Sequence, residues 1–237
     1  MDQQRSGVPR VAFFGGSFDP PHLGHLAVAR AARKALALDS VLFAPVGAQP
    51  LKPCGSTAAF ADRLAMTRLA IASEPGFSVS MADAPRPSGA PNYTLETLLR
   101  LRAELPGTLF CLMGADSFAG LKRWHRAAEI PFAAPLIVAS RPGQRLDGLK
   151  AALPAGLAIE AAPELREIKS EVELRCYWLR NPASERAPFY LLPGLEIAIS
   201  ASEIREQTRV GAGSFEPARA LLPASVAEYI RAHGLYC

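Results

Sequence analysis

Two histidines three positions apart, His22 and His25, close the run Gly15-Gly16-Ser17-Phe18-Asp19-Pro20-Pro21-His22-Leu23-Gly24-His25. Imidazoles at that spacing share one face of a helical turn, and the free amides of a helix N-terminus attract anions. Together they suit phosphate groups. The apolar Val11–Phe14 just before the run reads as a buried strand. Gly15 and Gly16 at its end allow a sharp turn and a close backbone approach to a ligand, with no Cβ in the way. Pro20 and Pro21 stiffen the loop and prepare the start of a helix. The chemistry expected here is nucleotide handling.

Plainer readings exist for each part. The loop matches neither the P-loop nor the G-x-G-x-x-G fingerprint, and a strand–Gly-Gly–helix alone is a weak phosphate signal. His-x-x-His could be half of a metal site, but zinc takes three or four protein ligands. No Cys-x-x-Cys or further histidine cluster supplies them, so no protein-held metal is expected. For His22 the alternative role is to cap its own helix. Asp19 reads as a turn residue that bonds its own backbone. A second phosphate-facing cluster is Ser200, Ser202 and Arg205. Ser202 is expected as an N-cap with Arg205 three residues on, so that hydroxyl, amides and guanidinium converge on one anion.

These groups need a scaffold. Short apolar runs at Val11–Phe14, Val41–Ala44, Phe77–Ser80, Leu109–Met113, Leu136–Ala139 and Ile197–Ile199 read as strands. Helical patterns fall around Leu26–Leu36, Ala59–Ala72 and Leu95–Leu105. Such interleaving predicts an α/β fold, a Rossmann-like doubly wound parallel sheet with helices on both faces. Ligands in such sheets bind at the carboxyl ends of the strands. Both Gly15-Gly16 and Gly114-Ala115-Asp116 fall there. One domain is expected over 1–237, ending in a small helical part over 200–237. The stretch 144–193 reads as an insertion or an oligomer contact, with a charged helix-like piece at Glu164–Arg175 and Pro182, Pro188 and Pro193 among turn residues.

The 237 residues are 49% hydrophobic and 20% charged, enough for a full core. A net charge of +4 permits anionic partners, but the arginines are scattered and no nucleic-acid motif appears. The cysteines, Cys54, Cys111, Cys176 and Cys237, have no paired spacing, so no disulfide framework is expected. The polar start lacks an apolar leader core, and no run approaches the ~20 apolar residues of a membrane span. A cytoplasmic protein, with no membrane or nucleic-acid partner, is expected.

The eleven-residue run as a whole resembles the signature Gly-Gly-x-Phe-Asp-Pro-x-His-x-Gly-His of the HxGH nucleotidyltransferase superfamily. Within it, the chain is most similar to bacterial nicotinate-nucleotide adenylyltransferases. The likeness continues in order through Arg63-x-x-Met66, Tyr93-Thr94-x-x-Thr97-Leu98, Gly114-Ala115-Asp116-Ser117 with Trp124, Arg141-Pro142-Gly143 and Ile199-Ser200-Ala201-Ser202-Glu203-Ile204-Arg205. It ends with Leu222-Pro223-x-x-Val226-x-x-Tyr229-Ile230 and Leu235-Tyr236.

The resemblance implies an enzyme that joins ATP, with Mg²⁺ on its phosphates, to nicotinate mononucleotide in NAD biosynthesis. It implies that His22, His25 and Arg205 are catalytic, and that Gly15, Gly16, Gly24, Gly114, Asp116, Ile199, Ser200 and Ser202 bind ATP. Ser17 and Phe18 would offer backbone amides to the mononucleotide, Lys52 a cation, and Thr94, Trp124 and Arg141 further contacts, with Trp124 stacking on the pyridine. Two positions depart from the family pattern. Gln49-Pro50-Leu51-Lys52 lacks the usual histidine before the lysine, and Ala201 removes one hydroxyl of the usual serine pair. Nicotinamide mononucleotide and phosphopantetheine are alternative acceptors. Readings from other classes are a non-catalytic nucleotide-binding domain and a nucleic-acid binder. A homodimer is compatible with all of them.

Overall fold

A computed structural model describes residues 7–51, 55–140, 146–162, 164–165, 172–194, 199–209 and 216–236. In chain order the strands are β1 (Arg10–Gly16), β2 (Ser40–Pro45), β3 (Phe77–Val79), β4 (Thr108–Gly114), β5 (Leu136–Ala139), β6 (Ala158–Ala161), β7 (Arg175–Arg180) and β8 (Arg186–Leu192). The helices are α1 (Leu23–Ala35), α2 (Phe60–Ile71), α3 (Thr94–Glu104), α4 (Ala115–Ala119), α5 (Ile130–Ala133), α6 (Leu146–Ala152), α7 (Ala201–Arg209), α8 (Glu216–Arg219) and α9 (Ala224–Ala232).

The strands form one eight-stranded sheet in the order β3-β2-β1-β4-β5-β8-β7-β6. The run from β3 to β8 is parallel, and β7 and β6 add antiparallel strands at the far edge. Side chains alternate across a strand, so neighbouring Phe13 and Phe14 serve different cores. Phe14 packs with Leu26, Phe43, Met66 and Ile230 on one side. Phe13 packs with Leu98, Leu121, Ile130 and Phe189 on the other. The chain moves outward from β1 to β3 and then returns to place β4 on β1's other side. That reversal opens a crevice at the carboxyl ends of β1 and β4, where the two glycine turns lie.

The α/β architecture agrees with the sequence reading, and β5 falls at the expected residues. Three strands, β6 to β8, were not anticipated. Pro188 made its segment read as a turn, because proline cannot donate to a strand ladder. In the structure Pro188 lies opposite Trp178 of β7, while pairing with β5 begins only at Phe189. Its missing N–H is therefore not demanded on the β5 side. The helix-like reading of Glu164–Arg175 fails at Arg175, which opens β7. Residues 166–171 and most of the expected strand Ile197–Ile199 lie outside the described residues. The segment between α6 and β8 adds its strands to the common sheet.

Candidate active site

At the β1–β4 crevice lies a cavity of about 850 Å³. Its walls include Gly15, Gly16, Ser17, Phe18, His22, Gly24, His25, Thr94, Gly114, Asp116, Trp124, Ile199, Ser200, Ser202 and Arg205. Every expected site residue that is described therefore faces one space. Lys52 and Arg141 lie outside the described residues, next to the lining residues Leu51 and Ser140.

The strand-to-helix loop is shaped by its own side chains. A Cβ at Gly15 would stand 2.8 Å from the Phe13 ring, so only glycine fits without moving a core residue. Phe18 adopts φ 48, rare for a non-glycine residue. This turns its ring into the core, edge-on to Phe14 at 5.6 Å and 4.9 Å from the His25 ring. Phe18 thus wedges the loop and supports His25 from below. The Asp19–Pro20 bond is cis.

His22 is the residue just before α1, and His25 lies in the first turn. Their ring centroids are 3.7 Å apart. The His22 amide donates to His25 Nδ1 at 3.2 Å. An Nδ1 that accepts leaves the proton of a neutral ring on Nε2, which assigns His25 as a donor. Burial lowers the pKa of His22 to about 4. Burial, and then the neighbouring His22, push His25 well below the usual imidazole value. His22 Nδ1 is buried with no hydrogen-bond partner among the described residues.

A pH dependence follows. Between pH 6.5 and about 4 the unfolded His22 binds a proton that the folded one excludes, so stability falls on acidification. A shift of that size corresponds to about 3 kcal/mol, lost progressively across the window. His22 is only 7% exposed, so solvent screening is slight. Urea unfolding of the ligand-free protein should show this loss, and His22→Gln should reduce it. Parallel pH profiles for the two proteins would contradict the assignment.

Asp19 corrects the turn reading. Among the described residues its carboxylate accepts not a local amide but those of Thr57 at 2.6 Å and Ala58 at 3.0 Å, together with the Tyr236 hydroxyl at 2.8 Å. The Asp19 carbonyl accepts Arg205 Nη1 at 2.7 Å. Arg205 Nη2 also donates to Ser202 Oγ at 3.1 Å. Helix α7 opens two residues earlier than expected, at Ala201. The Ile204 amide bonds the Ser200 carbonyl at 3.0 Å, so Ser200 holds the N-cap place and Ser202 lies inside the first turn.

Arg63 carried no role in the sequence reading, yet it ties the site together. It is 2% exposed, among the largest fully buried side chains. Its Nε donates to the Ala58 carbonyl at 3.2 Å, Nη1 to Ser17 at 2.7 Å and Nη2 to Val46 at 2.9 Å. The one guanidinium joins the glycine loop, the end of β2 and the approach to α2. The only sequence signal was its place in Arg63-x-x-Met66.

Another part of the cavity wall is tied down by Asn92 and Asp83. Asn92 is buried; its Oδ1 accepts the Ala48 amide at 3.1 Å and its Nδ2 donates to the Ala84 carbonyl at 3.1 Å. That pins the residues leading into α3, whose first position is Thr94. Asp83, buried on the same wall, accepts the Thr97 hydroxyl at 2.5 Å. Burial raises its carboxyl pKa, and the Thr97 bond opposes the shift. Tyr93 packs on His125 with centroids 4.4 Å apart, beside a half-buried Trp124.

The fold, with the Gly15–His25 loop and the Ser200–Arg205 segment on the wall of one cavity, is that of a nucleotidyltransferase. The Cytidylyltransferase-like family model matches residues 13–207. A probable nicotinate-nucleotide adenylyltransferase of Gloeobacter violaceus is 37% identical over 96% of both chains. One of Aeromonas hydrophila is 39% identical over 96% of this chain and 97% of its own. The chain belongs to the nicotinate-nucleotide adenylyltransferase family. The Plasmodium falciparum nicotinic acid mononucleotide adenylyltransferase complexed with NaAD shares the fold, with a TM-score of 0.69 at 15% identity over 96% of this chain and 97% of that one. No helix among the described residues is long and apolar enough to cross a membrane.

Proposed function

We propose that this protein transfers the adenylyl group of ATP to nicotinate mononucleotide, giving nicotinate adenine dinucleotide and pyrophosphate. A phosphate oxygen of the mononucleotide attacks the α-phosphorus of ATP, and the bond to the bridging oxygen of the β-phosphate breaks. One observation carries the reading. The glycine–histidine loop and the Ser200–Arg205 segment, far apart in sequence, meet through the Arg205–Asp19 bond on the wall of one cavity. Its volume, about 850 Å³, is near the top of the usual range for ligand sites and suits two substrates together.

In this reading His22, His25 and Arg205 act on the phosphates. Adenylyl transfer calls mainly for positioning and charge stabilisation, which imidazole, amide and guanidinium donors supply. Gly15, Gly16, Gly24, Gly114, Asp116, Ile199, Ser200 and Ser202 surround the ATP. Ser17, Phe18, Thr94 and Trp124 receive the mononucleotide, joined by Lys52 and Arg141. Among the described residues no three His, Cys, Asp or Glu gather as a metal cage. Magnesium enters on the ATP phosphates, as part of the substrate.

Acceptor choice provides the test. A nicotinate carboxylate only accepts hydrogen bonds, whereas a carboxamide must also donate. A ring pocket of amide and hydroxyl donors around Thr94 leaves the carboxamide NH₂ without an acceptor, at about 1–3 kcal/mol. The purified protein with MgATP should release pyrophosphate about tenfold to a hundredfold more efficiently with nicotinate mononucleotide than with nicotinamide mononucleotide. Phosphopantetheine should give no turnover. Equal kcat/KM for the two mononucleotides, or turnover of phosphopantetheine, would overturn this assignment.

A further inference from the structure

Tyr236 lies outside every role assigned above, yet its side chain reaches the phosphate loop. It follows α9, is 7% exposed and adopts φ 68, a left-handed conformation unusual for tyrosine. Non-glycine residues persist in that region only where the surrounding structure holds them. Its hydroxyl donates to Asp19 Oδ1 at 2.8 Å, within a bond set that also binds the Thr57 and Ala58 amides. Asp19 itself is 4% exposed.

The arrangement has a directional consequence. Three donors fix the rotation of the Asp19 carboxylate, and the carbonyl of the same residue is the acceptor for Arg205 Nη1. Asp19 thus passes the placement of its side chain to a guanidinium on the cavity wall and to the loop that leads into His22. The charged residues facing this point are Arg63 and Arg205: both act on the Tyr236 hydroxyl, and Arg63 is also drawn to the Asp19 carboxylate. Without the phenol, one of the three donors is gone and the carboxylate is free to rotate toward the rest.

We propose that Tyr236 is a positioning residue of the active site, holding Arg205 and the Ser17–His22 loop in register through Asp19. The inference rests on the adenylyl-transfer reading, and wild-type turnover in the same assay tests that reading separately.

Tyr229 supplies an internal control. Its hydroxyl also donates to a carboxylate, Asp62 Oδ1 on α2, at 3.0 Å, but neither residue lines the cavity. Tyr236→Phe and Tyr229→Phe each delete one phenolic hydrogen bond to an aspartate. For Tyr236→Phe, kcat/KM for ATP is expected to fall about tenfold or more, in line with the loss of a bond to a charged group. The KM for the mononucleotide should change little. Amide hydrogen exchange, which needs no turnover, should quicken at Thr57 and Ala58 in Tyr236→Phe and stay at wild-type rates there in Tyr229→Phe. Tyr229→Phe should keep wild-type kcat and KM. Wild-type use of ATP by Tyr236→Phe would overturn the proposal, as would equal losses of activity in the two variants.

Discussion

His25→Ala is expected to lower kcat by ~10²–10³, the usual cost of removing one donor aimed at charge developing in a transition state. His25 Nδ1 is occupied by the His22 amide at 3.2 Å, so its Nε2 proton is the one that remains to be given. Phe18 and Phe14 hold the ring at centroid distances of 4.9 and 6.0 Å, which restrains its orientation before any ligand arrives. A prearranged donor adds little to ground-state binding and more to the transition state. ATP affinity measured by calorimetry should therefore change much less than kcat. His25→Asn offers a stricter comparison: its amide oxygen can still accept from His22, but the Nε2 donor is lost. The two variants should be slowed alike. Near wild-type kcat in both would remove His25 from the chemistry.

The largest effect on stability is expected at Arg63. Arg63→Met preserves length and apolar bulk but leaves the carbonyls of Ser17, Val46 and Ala58 without their donor. It also removes a positive charge that offsets buried Asp19. Breaking a buried charge interaction from one side costs ~3–5 kcal/mol. For a chain of this length that lowers the unfolding midpoint on the order of 10 °C. Arg63→Lys should recover only part of the loss, since one ammonium cannot reach three carbonyls set around a planar fork. Thermal unfolding of both variants reads this directly. A lysine variant as stable as wild type would show that charge alone matters at this position.

Residues whose chemistry is local were legible in the sequence. Gly15, Gly16, His22 and His25 offer backbone freedom, helix-start geometry and imidazole, all of which appear within eleven consecutive letters. The interior strands were legible because burial on both faces makes them continuous apolar runs. Arg63 and Asp19 could not be read in the same way. Arginine and aspartate are usually solvated, and the partners that make these two structural lie on segments 17 and 39 positions away. Strand β8 was hidden by Pro188, whose tolerance depends on where pairing with β5 begins. The capping of α7 was misplaced by two residues because Ser200 and Ser202 offer the same hydroxyl; only the Ile204–Ser200 bond distinguishes them.

The Tyr236–Asp19 hydrogen bond joins positions 217 apart, and the Arg205–Asp19 bond joins positions 186 apart. Closing loops of that size carries a large entropic cost that only the rest of the fold can offset, and contacts of such separation slow folding. The glycine–histidine run therefore does not build its wall of the cavity by itself. A growing chain at the ribosome carries that run early, but the loop's outer supports emerge only after the sheet and the last helices have been made. The part of the cavity wall held by Arg205 and Tyr236 is thus completed only when these late segments have joined the fold.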